Sequence, residues 1–347
     1  MFMVKETMCA LVYEGPRELN MRQVPVPRPE KGEVLVRVQK VGICGSELSG
    51  YLGQNSLRKP PLVMGHEFAG RIAEIGEGVT AFQVGDRVTA NPLVSCGKCL
   101  DCQSGYANLC EKRVLIGAGM PGAFAEYVRV PSGNVLPLEE NVPMDDGALT
   151  EPFACAVRIA ALAELKPYDS LLIIGAGPIG LLTLRVAQLY GVNRVVVMDL
   201  NEDRLSIVKA MGGIPAANAE QLKKQIPVRG FSKSVDAVGL EVTRQQCVEY
   251  TRPGGTVVFS GLHHADSQLP INSFIRNELT FRGSFGYTPA DFHFALKWIS
   301  EKGLQLDQWM QRVPLEEGKA CFEKLLSDPG PVAKFILEVE PESTFGE

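Results

Sequence analysis

Histidine and tryptophan are scarce in this chain of 347 residues, which carries four of the first and two of the second. There is no basic excess: 35 Lys and Arg stand against 40 Asp and Glu, a formal net charge of −5. A nucleic-acid binder needs a clustered positive surface, so that partner class is not expected. Nor is there an apolar run of about eighteen residues, the length a membrane-spanning helix requires. The segment Met1 to Ala10 mixes Lys5 and Glu6 among single apolar residues and lacks the apolar centre of an export signal. These absences lead to the expectation of a cytoplasmic protein with neither membrane nor nucleic acid as partner.

What remains is a composition 45% hydrophobic and 22% charged, enough for two ordinary domains. Nine cysteines are present, unevenly placed. Cys96, Cys99, Cys102 and Cys110 fall within fifteen residues, while Cys9, Cys44, Cys155, Cys247 and Cys321 stand alone. In a reducing compartment disulfides are the weaker explanation, and metal ligands or buried thiols the stronger.

The first part of the chain reads as β-rich. Val34–Val38, Arg71–Ile75 and Asp86–Thr89 are short strand-like runs, and three prolines exclude a helix interior over Val24–Pro29. From about Glu151 the pattern alternates between buried strands and helices. Strands are expected at Leu171–Ile174, Val195–Met198, Ser234–Val238 and Thr256–Ser260, with helices at Leu181–Leu189 and Arg204–Met211. Such alternation implies a parallel sheet covered on both faces. Helices at Asp291–Lys302 and Glu316–Leu326 and a closing strand at Ala333–Val339 follow. The expected architecture is α/β: a β-rich domain interrupted by a doubly wound, parallel-sheet domain of the Rossmann type.

Gly175-Ala176-Gly177-Pro178-Ile179-Gly180 fits G-x-G-x-x-G directly after a buried strand and at the opening of a helix. The first glycine permits a tight turn, the second lets a pyrophosphate approach the backbone, and the third lets helix and strand pack closely. Asp199 lies nineteen residues beyond Gly180. A carboxylate there accepts hydrogen bonds from ribose hydroxyls and repels a 2′-phosphate, which favours NAD over NADP. Arg204 could stack or bond near the adenosine, and could equally serve a 2′-phosphate.

Four thiolates as close as Cys96, Cys99, Cys102 and Cys110 can close a tetrahedral zinc site with no open position, a structural rather than catalytic site. Two disulfides and an iron–sulfur cluster are the rival readings. A second constellation comprises Cys44, His66 in Gly65-His66-Glu67, and Glu151 before Pro152. Thiolate, imidazole and carboxylate are competent zinc ligands, and three of them with an exchangeable water make a catalytic site.

Gly65-His66-Glu67 followed by Gly70, Gly76 and Val79, with the four-cysteine lobe, the glycine fingerprint and Asp199 in order, resembles the zinc-dependent medium-chain dehydrogenase family over nearly the whole chain. Glu151 in place of a cysteine ligand is similar to the branch containing sorbitol, butanediol, threonine and sugar-phosphate dehydrogenases. The resemblance implies a GroES-like catalytic domain over residues 1–152 and 288–347 and an NAD-binding Rossmann domain over 153–287. It implies two zinc ions per chain, with Cys44 and His66 on the catalytic one and Glu67 and Glu151 sharing the remaining protein role, one directly and one through water. Ser46 would bond the substrate alcohol and relay its proton, and Glu47, where the family usually has aspartate, would orient His66. Leu262, Ser284 and Phe285 would join the fingerprint, Asp199 and Arg204 in the cofactor site. Ser49 stands where many relatives have a relay histidine, and Gly286 where sorbitol dehydrogenases have arginine.

The implied activity is hydride transfer between a secondary alcohol and NAD, with a small alcohol or ketone as substrate and a homodimer or homotetramer as the assembly. A zinc-free reductase of the same fold and an NAD-sensing protein with only the structural zinc are the alternatives.

Overall fold

The computed structural model describes residues 5–339. Met1–Val4, which belong to the segment read above as no export signal, and the residues expected to close the first domain beyond 339 lie outside the described residues. The chain divides into two compact units. One comprises the chain up to Glu151 with Thr288–Pro329 and the segment from Lys334; the other comprises Pro152–Tyr287 and Gly330–Ala333.

The first unit is built on strand Glu33–Gly42, which is buried along most of its length because both of its edges and both of its faces are occupied. It pairs antiparallel with Glu67–Ile75, Tyr127–Pro131 and Lys334–Glu338. The register sets Gly42 opposite both Glu67 and Ile336. The last residues of one strand and the first residues of two others therefore meet at one corner, although 267 positions separate Glu67 from Lys334. Two glycines of the motif after His66 exist for space: a Cβ on Gly70 would stand 2.0 Å from the Arg37 carbonyl oxygen, and one on Gly76 2.1 Å from that of Glu30. A separate sheet joins Thr7–Gly15 to Glu18–Pro25 and Leu62–Val63.

The second unit is a six-stranded, wholly parallel sheet in the order Ile214–Ala216, Arg194–Met198, Ser170–Ile174, Phe231–Asp236, Thr251–Phe259, Thr280–Gly283. This is the doubly wound Rossmann order, which places a ligand crevice at the carboxyl ends of the central strands. Leu172, Ile174, Val196, Phe231, Cys247 and Val257 form one of its cores.

The expected strand at Ser234–Val238 starts and ends earlier, at Phe231–Asp236, because Asp236 Oδ1 accepts from the backbone N–H of Val238 and Gly239 and turns the chain. The expected helix at Glu316–Leu326 opens as a 3₁₀ turn at Leu315–Glu317 before Gly318–Ser327 continues as α-helix. Of the lone thiols expected to be buried, Cys247 and Cys321 are, whereas Cys9 and Cys155 are only partly so. No helix among the described residues is long and apolar enough to cross a membrane.

Candidate functional site

Cys44 directly precedes the short helix Gly45–Tyr51, just past the end of strand Glu33–Gly42. His66 directly precedes strand Glu67–Ile75. The pairing of those strands brings Cys44, His66 and Glu67 together, one potential ligand atom from each lying within 4.8 Å of the others.

Glu47, fully buried, organises this corner. Its Oε2 accepts from the Cys44 backbone N–H at 2.9 Å, and its Oε1 accepts from the Gly65 N–H at 2.9 Å and from His66 Nδ1 at 2.8 Å. Gly65 has φ +95°, and a Cβ there would lie 2.6 Å from the Phe124 nitrogen, so only glycine makes the turn that aims its own N–H and the next ring at one carboxylate. A carboxylate that accepts from Nδ1 fixes the tautomer and leaves Nε2 to a metal. Burial opposes ionisation of both partners. The charges outweigh it: Glu47 is held below the usual carboxylate range, chiefly by His66, and His66 well above the usual imidazole range, chiefly by Glu47 and Cys44.

Glu67 faces a buried lysine. Lys334 Nζ donates to Glu67 Oε1 at 2.7 Å and stands 2.5 Å from Oε2, so both carboxylate oxygens face the ammonium. Burial acts against the lysine's charge, but Glu67, Cys44 and Glu47 together raise its proton affinity. Glu151, buried in the first turn of helix Thr150–Ala163, does not join the three gathered groups. Ser46 Oγ donates to Cys44 Sγ at 3.4 Å, and Ser49 Oγ turns back onto the Ser46 carbonyl at 2.8 Å. The donor set of sulfur, imidazole nitrogen and carboxylate oxygen, one atom of each within 4.8 Å of the others, fits a zinc site of the open kind.

The four cysteines also come together, their sulfurs all within 4.8 Å of one another. Cys99 and Cys102 are 3.4 Å apart, Cys96 and Cys102 4.0 Å. A disulfide needs about 2.05 Å, whereas a zinc tetrathiolate with bonds of about 2.3 Å has edges near 3.8 Å. The lobe therefore has the dimensions of a metal site. Backbone N–H groups of Lys98 and Cys99 point at Cys96 and bring its thiol down to about 6. Cys102 is lowered as well, burial notwithstanding, chiefly by Cys99.

In the second unit, strand Ser170–Ile174 runs into the glycine turn and helix Pro178–Leu189. Gly175 has φ +105°, and a Cβ on Gly180 would stand 1.8 Å from the Gly175 carbonyl oxygen. A Cβ on Gly177 would meet nothing within 4 Å, so the second glycine borders open space beside uncapped helix N–H groups, as a bound pyrophosphate requires. Asp199 is tied to this turn: Oδ2 accepts from Ala176 N–H at 2.6 Å, and Oδ1 from Asn201 N–H at 2.8 Å. Arg204 is capped through its backbone by Asn201, and its Nε is buried without a hydrogen bond among the described residues. Leu262 is 80% exposed and Phe285 44%, while Ser284 donates its N–H to the Phe259 carbonyl.

Residues 30–140 match the model of the alcohol dehydrogenase GroES-like domain, and residues 178–301 that of the zinc-binding dehydrogenase. The sorbitol dehydrogenase of Bacillus subtilis is 33% identical over 340 residues, 93% of this chain and 95% of that one. The chain belongs to the zinc-type medium-chain dehydrogenase family. Two solved structures are similar to this dehydrogenase. A short chain alcohol dehydrogenase of Escherichia coli complexed with NADH is 28% identical, with TM-score 0.90 over 96% of this chain and 100% of that one. A protein of Sinorhizobium meliloti described as a zinc-binding dehydrogenase and bound to NADP is 28% identical, with TM-score 0.89 over the same shares.

Sequence reasoning missed three residues at the first site. Lys334 left a trace, a charge directly before the apolar run Phe335–Leu337. Gly42, whose Cβ would fall 2.3 Å from Glu67 Oε2, and Arg58 left none that a single sequence reveals.

Proposed function

We propose that this dehydrogenase transfers a hydride between NAD and a secondary alcohol of polyol, diol or sugar-phosphate type. The observation that carries the reading is the gathering of Cys44, His66 and Glu67 around one point with Glu47 behind the imidazole. Zinc bound there supplies Lewis-acid polarisation of the substrate oxygen, and NAD supplies the hydride acceptor. The protein's share is positional. Glu47 fixes the His66 ring, and Lys334 holds Glu67 in a buried ion pair. Ser46, exposed beside Cys44, holds and passes the proton of the alcohol. Because Ser49 is spent on the helix backbone, the proton leaves Ser46 by way of water.

Of the two carboxylates, Glu67 is the one poised for direct contact with the metal, and Glu151 takes the water-mediated role. Cys96, Cys99, Cys102 and Cys110 hold the structural zinc. Gly175, Gly177, Pro178, Ile179 and Gly180 take the pyrophosphate, Asp199 and Arg204 the adenosine ribose, and Leu262, Ser284 and Phe285 the remaining cofactor contacts. A domain division at 1–152 with 288–347, and 153–287, goes with this assignment. Four free thiols at metal-binding distances fit a reducing compartment, the cytoplasm. A homodimer or homotetramer is supported by the edge strand Thr280–Gly283 and by Ile271 and Ile275, 57% and 70% exposed.

The test is metal analysis with a panel of diols, polyols and sugar phosphates, NAD and NADP assayed separately. Two zinc ions per chain and NAD reduction by a member of the panel are expected. One zinc ion and no turnover would replace the enzyme with an NAD-sensing protein.

A further inference from the structure

We infer that Arg58 is a positioning residue that presets the hydroxyl of Ser46 as a hydrogen-bond donor toward the space beside Cys44; the inference rests on the site assigned above. Arg58 lies in the loop that follows helix Gly45–Tyr51 and is 4% exposed. Among the described residues its one side-chain hydrogen bond runs from Nη2 to Ser46 Oγ at 3.1 Å, and its buried Nε has no partner. No carboxylate among the described residues lies within ion-pair distance of it; Glu47 feels its charge only from farther away. A buried cation whose one side-chain partner is a neutral hydroxyl costs solvation energy.

The helix makes room for this arrangement. A Cβ on Gly50 would stand 2.3 Å from Arg58 Cδ and 3.4 Å from its Cβ and Cγ. Gly50 is not among the glycines of positive φ, and glycine weakens a helix, so the backbone gives no reason for it. The missing side chain is the channel through which the arginine stem reaches Ser46.

The chemical consequence follows from donor counting. A guanidinium only donates, so the Arg58 bond occupies an acceptor position on Ser46 Oγ. The serine's own hydrogen is then directed away from Arg58, and it is directed at Cys44 Sγ, 3.4 Å off. A substrate oxygen arriving beside Cys44 meets a hydroxyl whose rotation is already restricted and which keeps one lone pair for the alcohol's proton. Arg58, 4% exposed, acts through Ser46.

The experiment is a double-mutant cycle on the zinc-loaded enzyme with its best alcohol from the panel, joined to crystal structures of the unmodified protein and of Arg58→Gln. Arg58→Gln should lower kcat about tenfold with KM for NAD unchanged. Arg58→Lys should recover part of the loss, and Gly50→Ala, by displacing the stem, should imitate Arg58→Gln. Combining Arg58→Gln with Ser46→Ala should cost no more than Ser46→Ala alone, since a residue that acts only through another has nothing left to lose. In the Arg58→Gln crystal the Ser46 side chain should leave its single rotamer beside Cys44. Additive losses, or a Ser46 rotamer unchanged by Arg58→Gln, would overturn the inference. If the unmodified protein turned over no alcohol, the functional reading would fall, while the Ser46 rotamer would still decide the role of Arg58.

Discussion

Lys334 and Glu67 form a buried ion pair, with side chains 4% and 1% exposed, across the corner where three strands begin or end. Removing one member of such a pair leaves the other charge buried and unpaired, a cost of about 3 kcal/mol or more. Lys334→Met should lower the urea midpoint of the metal-stripped protein accordingly, and adding Glu67→Gln should restore part of it. The pH dependence has a definite sign. Lys334 is raised above its ordinary 10.5, so its contribution is complete below that value and is lost as pH rises through the higher folded-state value. The gap between wild type and Lys334→Met should stay constant from neutrality and close only in strong alkali. A gap that closed near pH 8 would contradict the pairing.

Glu47 satisfies three donors that have no other task at this corner, two backbone N–H groups and the His66 ring. Loss of a partner that orients a ligating histidine typically costs about ten- to hundredfold in metal affinity. Glu47→Gln should show a loss of that size in chelator competition. Glu47→Asp, one methylene shorter, should be impaired too, because it cannot keep both backbone bonds and reach the ring. Unchanged zinc retention in both variants would remove Glu47 from the site.

The four-cysteine lobe has little apolar substance of its own: Leu100 is 78% exposed, Tyr106 45% and Leu109 47%. A closed metal site on these sulfurs would contribute folding energy directly. Cys99→Ala should lose one zinc ion per chain and melt at a lower temperature. An identical melting curve with full zinc content would mean that the lobe holds itself together.

How much of this was legible in the sequence depended on how local the signal was. The glycine turn, the cysteine lobe and the strands at Leu171–Ile174 and Val195–Met198 are written in contiguous residues whose spacing has one physical reading. Helix Gly45–Tyr51 was not, since Gly50 serves Arg58 rather than the helix. Lys334 could not be paired with Glu67 from sequence, because their proximity depends on the register of Glu33–Gly42 with two distant strands. The ambiguity between Glu67 and Glu151 was likewise spatial, a matter of which carboxylate the strand corner brings to Cys44 and His66.

The same distinction changes the test of cofactor choice. From sequence, Asp199 is a lone acid at a strand end, and Asp199→Ala is the natural variant. In the fold both of its oxygens already accept backbone bonds, one from Ala176 inside the glycine turn and one from Asn201. Each carboxylate oxygen retains a lone pair for a ribose hydroxyl. Removal of the side chain therefore cuts the turn loose and should weaken NAD and NADP together. Asp199→Asn keeps the shape and one acceptor while removing the charge that opposes a 2′-phosphate. NAD should be preferred in the unmodified protein, and Asp199→Asn should narrow the NAD:NADP ratio of kcat/KM by about tenfold, a change of 1.4 kcal/mol. Arg204, its buried Nε without a hydrogen bond among the described residues, is the group that would then receive the phosphate. Steady-state kinetics with both cofactors decide the matter: a higher kcat/KM with NADP before any substitution would mean that Arg204, not Asp199, governs this strand end.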